Sequence, residues 1–278
     1  MKKQLLFLAL GITLLSSCTK TTNNNDILPT PTGTFEGFVK LYDEFGNPLP
    51  LDSINNKHYA GVKVSLDSTG YSTTADSNGK FVFKGIPANA DYSFTFKKPL
   101  YGTYNIVNVP LLVTGNAPDL ATTQIQNVPL YKVSTTQVLS LLTPTVNPPA
   151  RGVPGSITLT ASLNNSNITT TNQAMGAVVF FSVKKNVSST NYDGVINLGT
   201  TNTTPANISN NTPFYPSSNP YYVPVGTTLY FIAYGYSGNT YDTYTNTIYG
   251  NGLGVVNGIT VYPTLNATPS AIESAQTE

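Results

Sequence analysis

Apolar and polar residues alternate along several short stretches of the chain, and clusters of Gly, Asn, Asp and Pro separate these stretches. In the first of them, Phe35, Val39 and Leu41 fall on one face of an extended strand, because successive side chains of a strand point to opposite sides. Similar alternation occurs at residues 62–66, 80–84, 92–97 and 157–163. Period-two patterns bounded by turn residues predict half-buried antiparallel strands.

The later part of the chain contains a nearly continuous apolar stretch at residues 177–184, as expected for a strand inside a sandwich. Leu229, Phe231 and Ala233 then alternate within residues 226–236. No window of useful length shows helical periodicity. The sequence therefore predicts an all-β protein of two tandem antiparallel β-sandwich domains.

The N-terminal residues differ from this pattern. Lys2 and Lys3 precede an apolar run at residues 5–15, which at 11 residues is too short to span a bilayer and is typical of a secretory signal peptide. The run ends in Leu15-Ser16-Ser17-Cys18, which resembles the bacterial lipobox. The resemblance implies a diacylglycerol on the Cys18 sulfur, with Cys18 as the first mature residue. An ordinary signal peptide with a chance cysteine is the alternative.

The predicted organisation has four parts. Residues 1–17 are a lipoprotein signal peptide, and residues 18–32 are the lipidated Cys18 with a polar, Pro-containing, disordered tether. Residues 33–142 and 143–278 are the two sandwiches. The Pro-rich stretch at residues 142–155 is interpreted as a short linker between them, and the polar tail from Thr268 is expected to fray.

Composition excludes several classes of function. The chain has 14 basic and 13 acidic residues, so its charge gives no case for nucleic-acid binding. Cys18 is the only cysteine and His58 the only histidine, which excludes disulfides and Cys-ligated zinc. A hydrolase would have to use His58, with Asp52 as the nearest orienting carboxylate, and an exposed loop histidine is the simpler interpretation. The sequence predicts no enzyme, no cofactor and no metal.

The first predicted domain carries an ordered series of motifs. Gly37 is followed by Gly46-Asn47-Pro48-Leu49, by residues 61–64 and 73–87, and by Ala90-Asp91-Tyr92-Ser93-Phe94. This series resembles the carboxypeptidase regulatory-like domain, a prealbumin-type sandwich, and residues 128–135 would supply its last strand. The resemblance implies a non-catalytic spacer, adhesion module or glycan-binding accessory. Residues 226–236 of the second domain resemble one strand of a fibronectin type III or Ig-like domain.

Tyrosines concentrate in and after a polar stretch at residues 200–224, which is interpreted as a long functional loop. The candidate ligand-binding residues are Phe214, Tyr215, Tyr221, Tyr222, Tyr241 and Tyr244. Tyrosines offer flat apolar faces with a polar tip, which suit sugar rings or protein partners, provided that the two loops emerge at one end of the sandwich. Part of the stretch could instead form ordinary edge strands.

Two further patterns are short. Asp43 and Asp76 lie in Asp/Asn-rich turns that suggest calcium, although their spacing is not that of a dedicated calcium loop and turn chemistry explains both. Ser53 and Ser68 each follow an aspartate, in triplets that resemble the O-glycosylation acceptor of Bacteroidetes.

Together these features predict a non-catalytic, lipid-anchored protein of the outer membrane of a Gram-negative bacterium, held through the lipid on Cys18. It would act as a structural, adhesion or binding module with a glycan or another envelope protein as partner. The alternative is a carbohydrate-binding accessory lipoprotein that uses the tyrosine-rich loops. An adhesin stiffened by a Lys–Asn bond is a further hypothesis.

Overall fold

The computed structural model describes residues 31–49, 59–112, 121–147, 155–214, 226–238, 255–256, 259–260, 262 and 264–277. Within these ranges every regular element is a β-strand, which confirms the all-β prediction. The signal peptide, Cys18 and the predicted tether up to Thr30 lie outside the described residues.

The first sandwich is built from seven strands: β1 (Thr32–Tyr42), β2 (Lys63–Leu66), β3 (Ser72–Thr74), β4 (Lys80–Pro87), β5 (Ala90–Lys97), β6 (Tyr104–Leu111) and β7 (Ala121–Tyr131). One sheet has the order β4-β1-β7 and the other β3-β2-β5-β6. The alternating residues of β1 enter the core as predicted, and Phe35 meets Phe94 of β5 edge-to-face with ring centroids 5.0 Å apart. Burying one such ring contributes about 1.5–3 kcal/mol.

The second sandwich contains β8 (Gln137–Asn147), β9 (Gly155–Asn164), β10 (Met175–Ser182), β11 (Gly194–Thr201), β12 (Ala206–Phe214), β13 (Thr228–Ser237) and β16 (Glu273–Gln276). Two short strands between β13 and β16, β14 (Val255–Val256) and β15 (Ile259–Thr260), pair with each other in a separate antiparallel sheet. The sheets of the second sandwich have the orders β11-β10-β13-β16 and β12-β9-β8. Every residue of β10 is buried, because a second apolar cluster around Phe180 covers the outer face of its sheet. Each sandwich therefore has its own core.

One strand departs from the antiparallel prediction. β7 pairs with β1 in parallel, with Gly33 opposite Ala121 and Tyr42 opposite Tyr131. The preceding strand, β6, belongs to the opposite sheet, so the chain crosses the sandwich before β7 and no hairpin dictates its direction. A period-two pattern identifies a strand but cannot reveal which way it runs.

The interpretation of residues 142–155 as a linker is wrong for its first part. β8 continues to Asn147 and pairs with β9, so the expected boundary between residues 142 and 143 falls inside a strand of the second sandwich. Pro144 is buried within β8 at a register shift between Leu142 and Thr145. An edge strand accepts a proline at such an irregularity, because the missing N–H is not needed for the ladder.

Three other expectations about irregular segments are corrected. Residues 206–214 of the expected long loop form β12, the edge strand that the sequence left open as the alternative, and Ile208 is buried against the second core. The expected frayed tail contains β16, which pairs with residues 228–231 of β13. At the end of the expected tether, the Pro31 carbonyl accepts a hydrogen bond from Ala88 N–H and Thr32 begins β1.

Candidate functional site

The most unusual polar feature of the described structure is a buried carboxylate where the two sandwiches meet. Glu44 follows the end of β1, in a turn that Asp43 organises by accepting the N–H groups of Phe45 and Asn47 at 2.9 and 2.8 Å. Because Asp43 satisfies the turn, the Glu44 side chain is left to bond elsewhere. Only 5% of Glu44 is exposed, although glutamate is among the residues least often buried.

The Glu44 carboxylate accepts hydrogen bonds from residues of three different segments. The connection between β7 and β8 supplies Thr135, whose N–H lies 2.6 Å from Oε2 and whose hydroxyl lies 2.8 Å from both oxygens. The connection after β9 supplies Asn167, whose Nδ2 lies 2.8 Å from Oε1. The end of β13 supplies the Ser237 hydroxyl, 2.7 Å from Oε2. One side chain of the first sandwich is thereby tied to two segments of the second.

A second layer of hydrogen bonds holds these donors in place. The Asn165 amide donates to Thr136 Oγ1 at 2.9 Å and to Ser237 Oγ at 3.1 Å. The Ser134 and Ser237 hydroxyls lie 2.7 Å apart. We call this network the Glu44 junction, which consists of Glu44, Ser134, Thr135, Thr136, Asn165, Asn167 and Ser237. Networks whose members are all satisfied hold a unique arrangement.

The backbone approaches closely at the same place, and glycine permits it. A Cβ atom on Gly235 would lie 2.1 Å from the carbonyl oxygen of Thr136, and one on Gly238 would lie 3.1 Å from the Phe45 backbone. Thus β13 lies against both the connection between the sandwiches and the turn that carries Glu44. Side chains at these two positions would separate the segments that the junction joins.

The electrostatics of the junction favour an ionised carboxylate. Burial is the largest single influence and raises the pKa of Glu44, but hydrogen bonds from Asn167, the Thr135 backbone, Ser237 and the Thr135 hydroxyl together hold that pKa below its ordinary value. Among the described residues, no lysine or arginine forms an ion pair with Glu44. Neutral donors alone therefore stabilise this buried charge, which makes Glu44 a weak base and a strong acceptor.

Most of the candidate site residues predicted from the sequence lie outside the described residues. This is so for Cys18, Asp52, Ser53, His58, Tyr215, Tyr221, Tyr222, Tyr241 and Tyr244. Phe214 is the last residue of β12 and pairs with Gly155. Their proposed roles stay predictions.

The attachment points of the two tyrosine-rich segments are nevertheless described. The segment at residues 215–225 leads into the start of β13 at Thr228, whereas the segment at residues 239–254 follows the other end of β13 at Ser237. The 10 residues of β13 separate the two attachment points by about 33 Å. The two attachment points therefore lie at opposite ends of β13.

The short motifs occupy turns. Asp76 accepts the N–H groups of Asn78 and Lys80, each at 2.9 Å, so its carboxylate serves the turn, like that of Asp43. Ser68 is exposed, with φ of 61°, in the turn after β2, and the neighbouring Asp67 accepts a hydrogen bond from Thr95 at 2.8 Å. Within the described ranges, no three His, Cys, Asp or Glu side chains cluster as a metal site would require.

Sequence reasoning missed the Glu44 junction. The sequence singled out Asp43 in this turn and not Glu44, whose bonds to Thr135 and Ser237 span 91 and 193 residues of sequence. The available signal was weak: the hydroxyl triplet Ser134-Thr135-Thr136 lies between two strands, and Ser237 ends an otherwise apolar strand. No local pattern connects these positions.

Comparisons with known proteins add little to this geometry. No family model matches the chain, and no curated protein matches it. Within the described part of the chain, no helix is long and apolar enough to cross a membrane.

Several solved structures show a weak likeness. A mutant type II cohesin–X-dockerin complex from Acetivibrio cellulolyticus is 24% identical over 36% of this chain, with a TM-score of 0.29, and the alignment spans 58% of that chain. A candidate carbohydrate-binding protein from Bacteroides uniformis is 11% identical over 88% of this chain and 99% of its own, with a TM-score of 0.25. A DUF3823 family protein from Parabacteroides merdae is 11% identical over 75% and 92%, also with a TM-score of 0.25. TM-scores this low carry no argument about function.

Proposed function

We propose that this protein is a non-catalytic, lipid-anchored module of the bacterial cell envelope. In this proposal Cys18 carries the lipid, and the two sandwiches form a stiff spacer that presents its surface to a partner outside the membrane. The observation that carries the spacer role is the Glu44 junction, which ties the first sandwich to the second through a buried carboxylate.

A spacer has to resist bending at the connection between its domains. Interfaces between domains of one chain resemble transient protein–protein interfaces, so relative motion is the ordinary expectation. Here Thr135 lies on the connecting segment itself, and its N–H and hydroxyl both bond to Glu44. Hydrogen bonds to a charged group contribute about 1.5–3 kcal/mol each, so several of them favour one orientation of the two sandwiches.

The same residues argue against catalysis at the junction. A general base works best with a pKa near the pH of the reaction, whereas the pKa of Glu44 lies below its ordinary value. The Ser237 and Thr135 hydroxyls donate to this carboxylate, but a carboxylate with a lowered pKa is too weak a base to activate them as nucleophiles. The arrangement is suited to holding segments together.

The anchor follows from the lipobox resemblance at residues 15–18. A single acyl chain holds a protein to a membrane only marginally, so the several chains of a bacterial lipoprotein are needed for stable attachment. Location at the outer membrane is part of the proposal.

Metabolic labelling with a fatty acid tests the anchor. Wild-type protein should incorporate the label and sediment with membranes, Cys18→Ala should lose both, and the matched variant Ser17→Ala should keep both because it retains a small residue before the cysteine. Protease treatment of whole cells then reports which side the sandwiches face. Label-free wild-type protein, or a mature chain that begins at another residue, would overturn the lipid anchor.

A further inference from the structure

The Glu44 junction depends on a single ionisable group. The hydroxyls of Thr135 and Ser237 can rotate and either donate or accept, but the Thr135 N–H and the Asn167 amide hydrogens can only donate. The Thr135 N–H points at Oε2 and the Asn167 amide at Oε1. Each carboxylate oxygen therefore faces an N–H donor. A proton on either oxygen meets that N–H or makes a hydroxyl turn from donor to acceptor, and in both cases a charge-assisted bond to the carboxylate is lost.

We infer that the Glu44 junction is an acid-sensitive contact between the two domains: protonation of Glu44 releases the two sandwiches from their fixed orientation while each keeps its own fold. This inference rests on the spacer part of the proposed function. Each sandwich has a separate apolar core, so neither core depends on the junction for its burial. The direct bonds from the turn after β1 to Asn167 and Ser237 of the second sandwich end on one carboxylate, whereas Ser134 of the connection bonds to Ser237 independently of it.

The pH response of the junction is expected to come from Glu44 and not from a neighbouring titratable group. In the turn after β1, the other titratable group is Asp43, which accepts hydrogen bonds of its own turn. In the connection between β7 and β8, the titratable group is Lys132, at the end of the first sandwich. The connection after β9 contributes only amides at the junction, and the end of β13 contributes the Ser237 hydroxyl. The nearest titratable residue of β13, Tyr236, donates instead to Asn197 at 2.9 Å. No charge on these described segments compensates for a proton gained by Glu44.

Protons have access to the carboxylate. Thr135 and Asn167 lie at the exposed rim of the junction, whereas Ser237 and Asn165 are buried beneath it. Water can therefore reach the carboxylate from the rim without unfolding of either sandwich. If protonation of Glu44 opens the junction, an anchored spacer would change from a stiff to a hinged state in acid.

A distance measurement between the sandwiches tests the inference. In the full chain, Cys18→Ser removes the only thiol, and Lys84→Cys and Lys185→Cys place one spin label on an exposed position of each sandwich. Double electron–electron resonance on this background should give one narrow distance peak at neutral pH. We expect that peak to be lost in acid, as the pH falls through the lowered pKa of Glu44, and to be lost already at neutral pH in Glu44→Gln, whose amide imitates the protonated acid. Glu36→Gln is the matched control, because Glu36 bonds to Lys80 and Gln124 within the first sandwich.

Far-UV circular dichroism separates opening from unfolding. Loss of the narrow distance peak in Glu44→Gln with an unchanged circular dichroism spectrum supports the inference. A narrow peak in Glu44→Gln at neutral pH overturns it, as does loss of the β-spectrum in that variant, since the carboxylate would then hold the fold and not the orientation. A broad distribution in the wild type at neutral pH overturns the stiff spacer, which distinguishes that failure from failure of the acid response.

Discussion

Replacing Glu44 by glutamine should destabilise the protein by about 2–4 kcal/mol at neutral pH. The substituted amide retains one acceptor oxygen, and its NH₂ group must face either the Thr135 N–H or the Asn167 amide, so at least one charge-assisted bond of about 1.5–3 kcal/mol is lost. The remaining bonds weaken by about 1 kcal/mol each when their acceptor becomes neutral. Relief from burying a charge offsets part of this sum.

Urea unfolding followed by circular dichroism measures the effect. With a slope of about 2 kcal/mol/M, the midpoint should fall by about 1–2 M relative to wild type. Glu36→Gln is again the control, and its midpoint should stay close to that of wild type because the Glu36–Lys80 pair lies at the surface. A Glu44→Gln midpoint that matches the Glu36→Gln midpoint would refute the reasoning.

The pH dependence gives a second check on the same residue. Because the pKa of Glu44 is lowered in the folded protein, its ionised form stabilises the fold above its unfolded pKa of about 4.3. That stabilisation is lost as the pH falls through the lower, folded pKa. The stability difference between wild type and Glu44→Gln should therefore be full at neutral pH and shrink toward zero in acid. A difference that stays constant across this range would contradict the assignment.

Two pairs of variants test the fold. Gly79 and Gly70 both have φ of 80°, but a Cβ on Gly79 would lie 2.3 Å from the Val39 carbonyl oxygen, whereas Gly70 has open space. Gly70→Ala should cost about 1–2 kcal/mol and Gly79→Ala clearly more in urea unfolding, and equal costs would contradict the packing. Phe94 is fully buried and Phe38 is 42% exposed. Phe94→Ala should cost about 3–5 kcal/mol and Phe38→Ala less than half as much. Similar costs would contradict the difference in burial between the two rings.

The sequence predicted strands well where one face is apolar and the other polar. Val64 and Leu66 in β2, and Leu159 and Leu163 in β9, are buried as the alternation required. It did not settle where the edge strands lie, because the edge of a sheet admits polar residues: the stretch around β12 was left open between loop and strand, and β16 was missed. β12 and β16 contain few apolar residues, because an edge strand with an exposed face needs only an occasional contact such as Ile208 to join the core.

The functional site was beyond the reach of local patterns for a different reason. Glu44 lies in a polar turn, where a charged residue is ordinary, and its burial depends on the second sandwich folding over it. Sequence reasoning assigned Asp43 its turn role correctly, since that role involves contacts only two to four residues away. It could not pair Glu44 with Thr135, Asn167 and Ser237, because these residues are far apart in the sequence and no periodic pattern links them.

The central claim is that the two sandwiches behave as one body because the Glu44 junction joins them. Residual dipolar couplings of backbone amides at neutral pH test it most directly, since they report the orientation of each sandwich in solution. The account predicts that a single alignment tensor fits the amides of β1–β7 and those of β8–β13 together. Two tensors of different magnitude, one for each sandwich, would contradict it.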